Sequence, residues 1–168
     1  MMEILVLIAA SVGALGLLAG VAWLIWRPIR HALREVEFAR ARKLFHQQRE
    51  RLEAKFFQLA GASGKPRGLE WVSCDFEDDV VYARERRSGD LTAFVAVTIR
   101  FSATVGGGME EVEAVGNLRA ATAVFRASRS NWGTEGRAIF NLGPREAVQH
   151  FQHDLELVGH EFADSTRT

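Results

Sequence analysis

An uncharged stretch near the N-terminus constrains this 168-residue chain more than any other feature. From Ile4 to Trp26 there are 23 residues without a charged side chain, and twelve of them are Leu, Ile or Val. As an α-helix this stretch would reach roughly 35 Å, against about 30 Å for the hydrocarbon core of a bilayer. The sequence therefore predicts an uncleaved transmembrane anchor over residues 1–26, with the lipid bilayer as its partner. A cleaved signal peptide fits less well, because it requires a basic start and a shorter apolar stretch.

Basic residues lie on one side of this stretch. Arginines follow it from residue 27 onward, whereas only Glu3 and the N-terminal amine precede it. Because basic residues mark the cytoplasmic side of a span, the sequence predicts a single-pass protein with its N-terminus outside and its C-terminal domain in the cytoplasm. Tryptophans gather at membrane surfaces. The predicted membrane interface consists of Trp23, Trp26, Arg27, Arg30 and Arg34.

Four small residues of the same stretch share one face of the predicted helix. Ala9, Gly13, Gly16 and Gly20 follow one another at spacings of four, three and four residues. Small residues at such spacings let two helices approach closely in a membrane. They are therefore the predicted contact surface of a homodimer, although Gly and Ala are common in membrane helices generally.

The remainder of the chain divides into a basic and an acidic part. Residues 27–67 have a net charge of +7 and residues 68–168 a net charge of −6. Residues 27–60 contain no Gly or Pro after Pro28, which predicts a basic juxtamembrane helix, and residues 61–68 read as a linker. A basic helix suits an anionic lipid surface. Nucleic acid is disfavoured as a partner, because the C-terminal part is acidic and contains no base-reading motif.

Alternating apolar residues predict strands after this linker. Every odd position from Leu91 to Ala103 is apolar, which is typical of a long central strand. Ser88, Gly89 and Asp90 predict a hairpin turn into that strand. Other strands are predicted at 69–76 and 80–87, on either side of an acidic turn, and at 111–116, 120–128 and 137–142.

A closing helix is predicted from Pro144, with an apolar stripe formed by Val148, Phe151, Leu155 and Val158. Residues 69–159 are thus predicted to form an α+β domain, a curved antiparallel sheet of about five or six strands packed by this C-terminal helix. A polar tail would follow over residues 160–168.

Two clusters of possible metal ligands lack the pattern of a metal site. His150, His153 and Asp154 supply two or three ligands where a structural zinc needs four, and helical spacing points His153 into solvent. The acidic run at residues 75–79 lacks the glycine and the distal glutamate of an EF-hand loop. Neither cluster predicts a metal site.

Other reactive or ligand-binding patterns are also incomplete. Cys74 shares a predicted strand face with apolar residues and has no obvious histidine partner, which favours a buried small hydrophobe over a nucleophile. The glycines at 106–108 belong to no nucleotide-binding motif and read as a turn. Three aromatic residues are candidates for core positions or for a ligand pocket: Trp71, Tyr82 and Trp132. No catalytic residue and no cofactor is predicted.

The sequence therefore predicts a single-pass membrane protein that presents a small cytoplasmic α+β domain for interaction with an unknown protein or small molecule. A membrane-tethered enzyme with its active site in the concavity of the sheet is the alternative. Converging titratable side chains in a pocket of the folded sheet would favour the enzyme, and a filled apolar concavity would favour the interaction domain.

Overall fold

The computed structural model describes residues 2–63, 68–109, 112, 117–128 and 131–162. The chain divides into two compact units, Met1–Arg40 and Ala41–Thr168, and each is described by itself. The elements in chain order are α1 (Met2–Ser63), β1 (Leu69–Glu85), β2 (Leu91–Ala103), β3 (Arg119–Ser128), β4 (Asn131–Gly133), β5 (Ala138–Phe140), α2 (Pro144–His150) and β6 (Leu155–Glu161).

The predicted transmembrane anchor is wrong. Among the residues that the structure describes, no helix combines the length and the apolarity needed to cross a membrane. The prediction rested on residues 4–26, and the side chains of residues 2–12 lie outside the described residues. The single-pass topology, the outside N-terminus and the cytoplasmic placement of the C-terminal domain all depended on that anchor and are corrected with it.

The first unit consists of the N-terminal part of α1. The helix extends through Pro28, where the sequence predicted the start of a separate juxtamembrane helix, and it ends at Ser63. The guanidinium carbon of Arg30 lies 5.0 Å from the centre of the Trp26 ring, a cation–π distance. The side chain of Arg27 lies outside the described residues. No contact in the described residues tests an interface role for Trp23, Trp26, Arg30 or Arg34.

The predicted dimer surface lies on the same part of α1. Apart from the adjacent backbone of α1 itself, a Cβ atom built at Gly13, Gly16 or Gly20 has no described atom within 4 Å. The side chain of Ala9 lies outside the described residues. Self-association through this face stays a prediction.

A six-stranded antiparallel sheet forms the second unit. The strand order is β4-β3-β2-β1-β6, and β5 pairs with β3 beside β4. β2 occupies the middle of the sheet and coincides with the alternating stretch that predicted the central strand. The hairpin between β1 and β2 closes with Gly89 at φ +80°, where its N–H donates to the carbonyl of Glu85 at 2.8 Å. Of the strand predicted at residues 111–116, only Val112 lies within the described residues.

The acidic turn predicted between two strands is instead an irregularity inside one strand. β1 continues from Leu69 to Glu85, and Phe76 pairs with Val97 while Val80 pairs with Val95. Four steps along β1 therefore correspond to two steps along β2, which is a bulge of two extra residues. The bulge keeps Phe76 and Val80 on the same face of the sheet and displaces the intervening carboxylates from the regular ladder.

The C-terminal part of α1 packs on one face of the sheet. Phe45 and Phe56 are completely buried and meet Phe125 of β3 at ring-centre distances of 5.6 and 5.9 Å. The face also carries Tyr82 of β1, whose ring lies 5.9 Å from Phe45. Because these rings fill the face that α1 covers, the sheet surface under α1 is an apolar core rather than a cavity.

The opposite face carries a smaller core beneath α2. Val81, Phe94 and Val124 pack there with Ala147 and Val148 of the helix.

The predicted closing helix is wrong beyond residue 150, because the chain turns after α2 and returns as β6. The spacing of Leu155 and Val158 suits one face of a helix. The edge of β1 instead holds this segment extended, because its backbone pairs with β6 from Val80 to Glu85. His160 and Glu161 belong to β6 rather than to a polar tail, and residues 163–168 lie outside the described residues.

Ile99 and Thr98 of β2 test whether the sheet face under α1 is more deeply buried than the opposite face. Ile99 is completely buried on the α1 side, whereas the side chain of Thr98 lies on the other face and is half-buried. Ile99→Ala should lower the free energy of unfolding by about 2–5 kcal/mol through lost contacts and a cavity. Thr98→Ala should lower it by much less. Urea midpoints from near-ultraviolet circular dichroism of the full chain measure both, and equal midpoints would contradict the assignment of faces.

Gly136 lies against the backbone of α1. It has φ +75°, and a Cβ atom built there would lie 2.5 Å from the backbone nitrogen of Ala60 and 2.8 Å from the carbonyl carbon of Leu59. The loop is held in place by the Thr134 hydroxyl, which donates to the Val124 carbonyl at 2.9 Å and accepts from the Gly136 N–H at 3.0 Å. Only glycine allows the loop and the helix to approach this closely.

Replacing Gly136 with alanine should therefore destabilise the fold through two separate effects. The left-handed backbone costs alanine about 1–2 kcal/mol, and the contact with α1 adds about 1–3 kcal/mol of overpacking. Gly89→Ala is the matched control, because Gly89 has φ +80° and a Cβ there meets no described atom within 4 Å. Gly136→Ala should have a lower urea midpoint than Gly89→Ala. Equal midpoints would contradict the claim that the contact with α1 contributes to the destabilisation.

Candidate functional site

Two neighbouring cavities lie around the outer edge of β3. Both are lined by Val124, Arg126 and Arg137, so the two arginines stand between them. Arg126 belongs to β3, and Arg137 precedes β5 and accepts a backbone hydrogen bond from Val124 at 3.1 Å. We call the two cavities together the arginine cleft. Their volumes of about 410 and 300 Å³ lie within the range of small-molecule sites in proteins.

The larger cavity lies between α1 and the β4 region, and the charged residues of its lining are mainly basic. Among the described residues that line it, Lys55, Arg126 and Arg137 are cationic, whereas Glu135 alone is acidic. The other lining residues are Val124, Ser128, Asn131, Trp132, Gly133 and Thr134. The excess of positive charge favours an anionic group in this cavity.

The smaller cavity lies on the α2 side of the sheet and carries charges of both signs. Its acidic lining residues are Glu85 at the end of β1 and Asp154 before β6. Its apolar lining consists of Phe94, Val124, Ile139, Phe151 and Leu155, with Thr92 beside them. The guanidinium carbon of Arg137 lies 5.6 Å from the centre of the Phe151 ring, which helps to hold that arginine at the boundary of the two cavities.

The two arginines of the cleft have no anionic partner in the part of the chain that the structure describes. Neither Arg126 nor Arg137 takes part in an ion pair or a side-chain hydrogen bond there. This contrasts with Arg42 and Arg49, whose guanidinium groups contact the carboxylates of Glu161 and Glu53 at 3.0 and 2.7 Å. The cleft therefore presents donors that remain available to a ligand.

Two carboxylates in the acidic run of β1, those of Asp78 and Asp79, are paired within the protein. Arg49 contacts Asp78 at 3.2 Å and donates to the backbone carbonyl of Glu77. His160 lies 2.6 Å from Asp79, with the proton position set by the histidine tautomer. The run thus ties the bulge of β1 to α1 and to β6.

Glu161 at the end of β6 joins three elements. Its carboxylate lies 3.0 Å from Arg42 and 2.8 Å from His46 on α1. It also accepts a hydrogen bond from the hydroxyl of Tyr82 at 3.0 Å. Desolvation by burial, followed by the negative charge of Glu161, raises the pKa of Tyr82 far above its ordinary value of 10.0. Tyr82 is therefore a core residue rather than a ligand-binding one.

The other aromatic candidates differ in position. Trp132 lines the larger cavity, is nearly fully buried, and donates from Nε1 to the carbonyl of Ala41 at 2.8 Å. Trp71 is buried beside Phe56 and Phe101, and its Nε1 has no hydrogen-bond partner among the described residues. Of the three aromatic residues that the sequence offered for a ligand pocket, Trp132 lies in the cleft.

The residues weighed as metal ligands are spread over the C-terminal turn. His150 ends α2, His153 is exposed, and Asp154 lines the smaller cavity. Within the described residues no group of three His, Cys, Asp or Glu side chains could hold a metal ion.

Cys74 and the triple glycine have structural roles. Cys74 lies on the α1 face of β1 opposite Ile99, and burial together with the charge of Asp75 raises its pKa from 9.0 to about 12. Gly107 packs against Gly68, and a Cβ atom at Gly107 would lie 2.7 Å from the Cα of Gly68. The triple glycine thus closes the end of the β1–β2 pair.

No sequence pattern singles out the two arginines of the cleft. Arg126 stands in a strand among other polar and apolar residues, and Arg137 lies in a turn-rich stretch eleven positions later. The pairing of β3 with β4 and β5, which is a tertiary feature, brings them to one cleft.

Comparison of the chain with protein-family models, with curated proteins and with solved structures finds no match.

Cys74 and Tyr82 together predict a loss of stability at alkaline pH. They are the only cysteine and the only tyrosine of the chain, and folding raises the pKa of both. Their contribution to stability is complete below about pH 9 and is lost as the pH rises toward 12, because the folded state resists releasing their protons. Urea midpoints should therefore fall between pH 9 and 11.

The variant Cys74→Ala with Tyr82→Phe serves as the control for this titration. It removes both ionisable groups, so its urea midpoints should fall less steeply over the same pH range. Parallel curves for the variant and the unchanged chain would show that other groups cause the alkaline loss.

Proposed function

We propose that residues 41–162 form a small-molecule-binding domain whose ligand carries an anionic group held by Arg126 and Arg137. The observation that supports this most strongly is the position of the two guanidinium groups, which line both cavities and have no anionic partner among the described residues. Guanidinium groups bind carboxylate and phosphate through paired hydrogen bonds.

The wider lining of the larger cavity supports an anion as well. Lys55 adds a third positive charge, and Ser128 and Asn131 add neutral hydrogen-bonding groups. Asn131 already accepts a weak hydrogen bond from Arg51 at 3.3 Å, which places a fourth basic residue near this side of the cleft. Since these groups come from α1, β3 and β4, the site depends on the packing of the helix on the sheet.

This proposal replaces the membrane-tethered functions that the sequence predicted. The rings of Phe45, Phe56 and Phe125 fill the sheet face that α1 covers, so the active site expected in a concavity of the sheet has no room there. The binding surface proposed here lies at the edge of the sheet instead.

Loss of either arginine should weaken anion binding by the full chain. Arg126→Ala or Arg137→Ala should reduce the affinity for inorganic phosphate and for acetate by about tenfold or more, since each hydrogen bond to a charged group contributes about 1.5–3 kcal/mol. Chemical-shift titration of the ¹⁵N-labelled protein measures this directly, and the shifts should cluster around the cleft.

Arg145→Ala is the matched control for these variants. Arg145 is an exposed arginine of α2 that lines neither cavity. Its removal takes away the same charge and should leave phosphate and acetate affinity unchanged. Equal effects at all three arginines would indicate general charge attraction, and the absence of any binding would refute the proposed function.

A further inference from the structure

The smaller cavity contains two carboxylates that an anionic group alone does not explain. Glu85 and Asp154 line it together with the two arginines, so two negative and two positive side chains surround about 300 Å³. A purely anionic ligand would be repelled by these carboxylates.

The carboxylates of the smaller cavity form no ion pair with a basic residue of the described chain. Glu85 accepts a hydrogen bond from the Ser88 hydroxyl at 2.7 Å, which leaves its charge uncompensated. Asp154 uses its backbone carbonyl to accept from the Arg86 N–H at 2.8 Å, and its side chain has no partner there. Arg126 and Arg137 line the same cavity without closing an ion pair to either carboxylate.

From this arrangement we infer that the ligand of the arginine cleft is a zwitterion of amino-acid type, whose carboxylate meets Arg126 and Arg137 and whose ammonium group meets Glu85 and Asp154. The inference rests on the proposed function, since it assigns the anionic end of the same ligand. Each charge of the ligand then lies next to side chains of opposite charge. The two carboxylates of the smaller cavity attract the ligand's ammonium group instead of only repelling its carboxylate.

The apolar lining gives the ligand a hydrocarbon part. Phe94, Ile139 and Phe151 border the smaller cavity between its charged groups. Burying a methylene group contributes about fourfold to affinity, which corresponds to roughly 0.8 kcal/mol. A ligand of about the size of a six-carbon amino acid suits this volume and this lining.

Three probes with one carbon skeleton test the inference on the full chain: hexanoate, norleucine and 6-aminohexanoate. They share six carbons and a carboxylate, and they differ in whether and where they carry an ammonium group. At least one of the two amino compounds should bind about tenfold or more tightly than hexanoate, as a charged hydrogen bond contributes about 1.5–3 kcal/mol. Titration calorimetry measures all three affinities.

Variants of the carboxylates separate this effect from general polarity. Glu85→Gln and Asp154→Asn keep the size of each side chain, and they should reduce binding of the favoured amino compound to the level of hexanoate. Hexanoate itself should bind equally well or better, because the repulsion is gone. Glu156→Gln is the control, since Glu156 is an exposed residue of β6 that lines neither cavity.

The outcomes distinguish the inference from the function on which it rests. If hexanoate binds and neither amino compound binds more tightly, the zwitterion is refuted while the anion site stands. The zwitterion is also refuted if the preference for an amino compound survives both carboxylate substitutions. If phosphate, acetate and all three probes fail to bind, both the proposed function and the zwitterion inference are refuted.

Discussion

The packing of α1 on the sheet is the interaction on which the second unit depends. Phe45 of α1 packs edge-to-face against the rings of Tyr82 and Phe125, and Phe56 packs at a tilt against Phe125. Each such pair contributes about 0.5–1.5 kcal/mol beyond the apolar area that it buries. The sheet has no other helix on this face in the described structure, because α2 lies on the opposite side. These four rings are the largest fully buried side chains of the described structure.

Polar contacts around this core set where α1 lies. Glu161 binds Arg42 and His46, Arg49 binds the bulge of β1, and Trp132 donates to the backbone of Ala41. Ion pairs with one solvent-exposed partner stabilise little, whereas a buried tryptophan donor without an acceptor would cost about 1–3 kcal/mol. The ion pairs consequently fix the position of α1 on the sheet more than they stabilise the fold. The hydrogen bond of Trp132 both fixes the position of α1 and stabilises the fold. Lys55 reaches the arginine cleft because α1 is held in this place.

The arginine cleft exists because β3 changes partner along its outer edge. Arg126, Ala127 and Ser128 pair with β4, and Ala121, Thr122 and Ala123 pair with β5. Between the two strands the chain leaves the sheet, touches α1 at Gly136 and returns at Arg137. This detour opens the edge and places Arg137 beside Arg126. A continuous strand would have closed the same edge and left no room for a ligand.

Local patterns determined the strands with alternating side chains, the turn at Gly89 and the start of α2 at Pro144. Strand alternation and turn chemistry are properties of neighbouring residues, so the sequence alone shows them. Other features depended on partners that are distant in the chain. β6 formed where a helix was predicted because the edge of β1 satisfies its backbone, and Gly136 is required because α1 lies next to it. Arg126, Arg137, Glu85 and Asp154 come from four segments, and only their assembly around one edge of the sheet makes them a site.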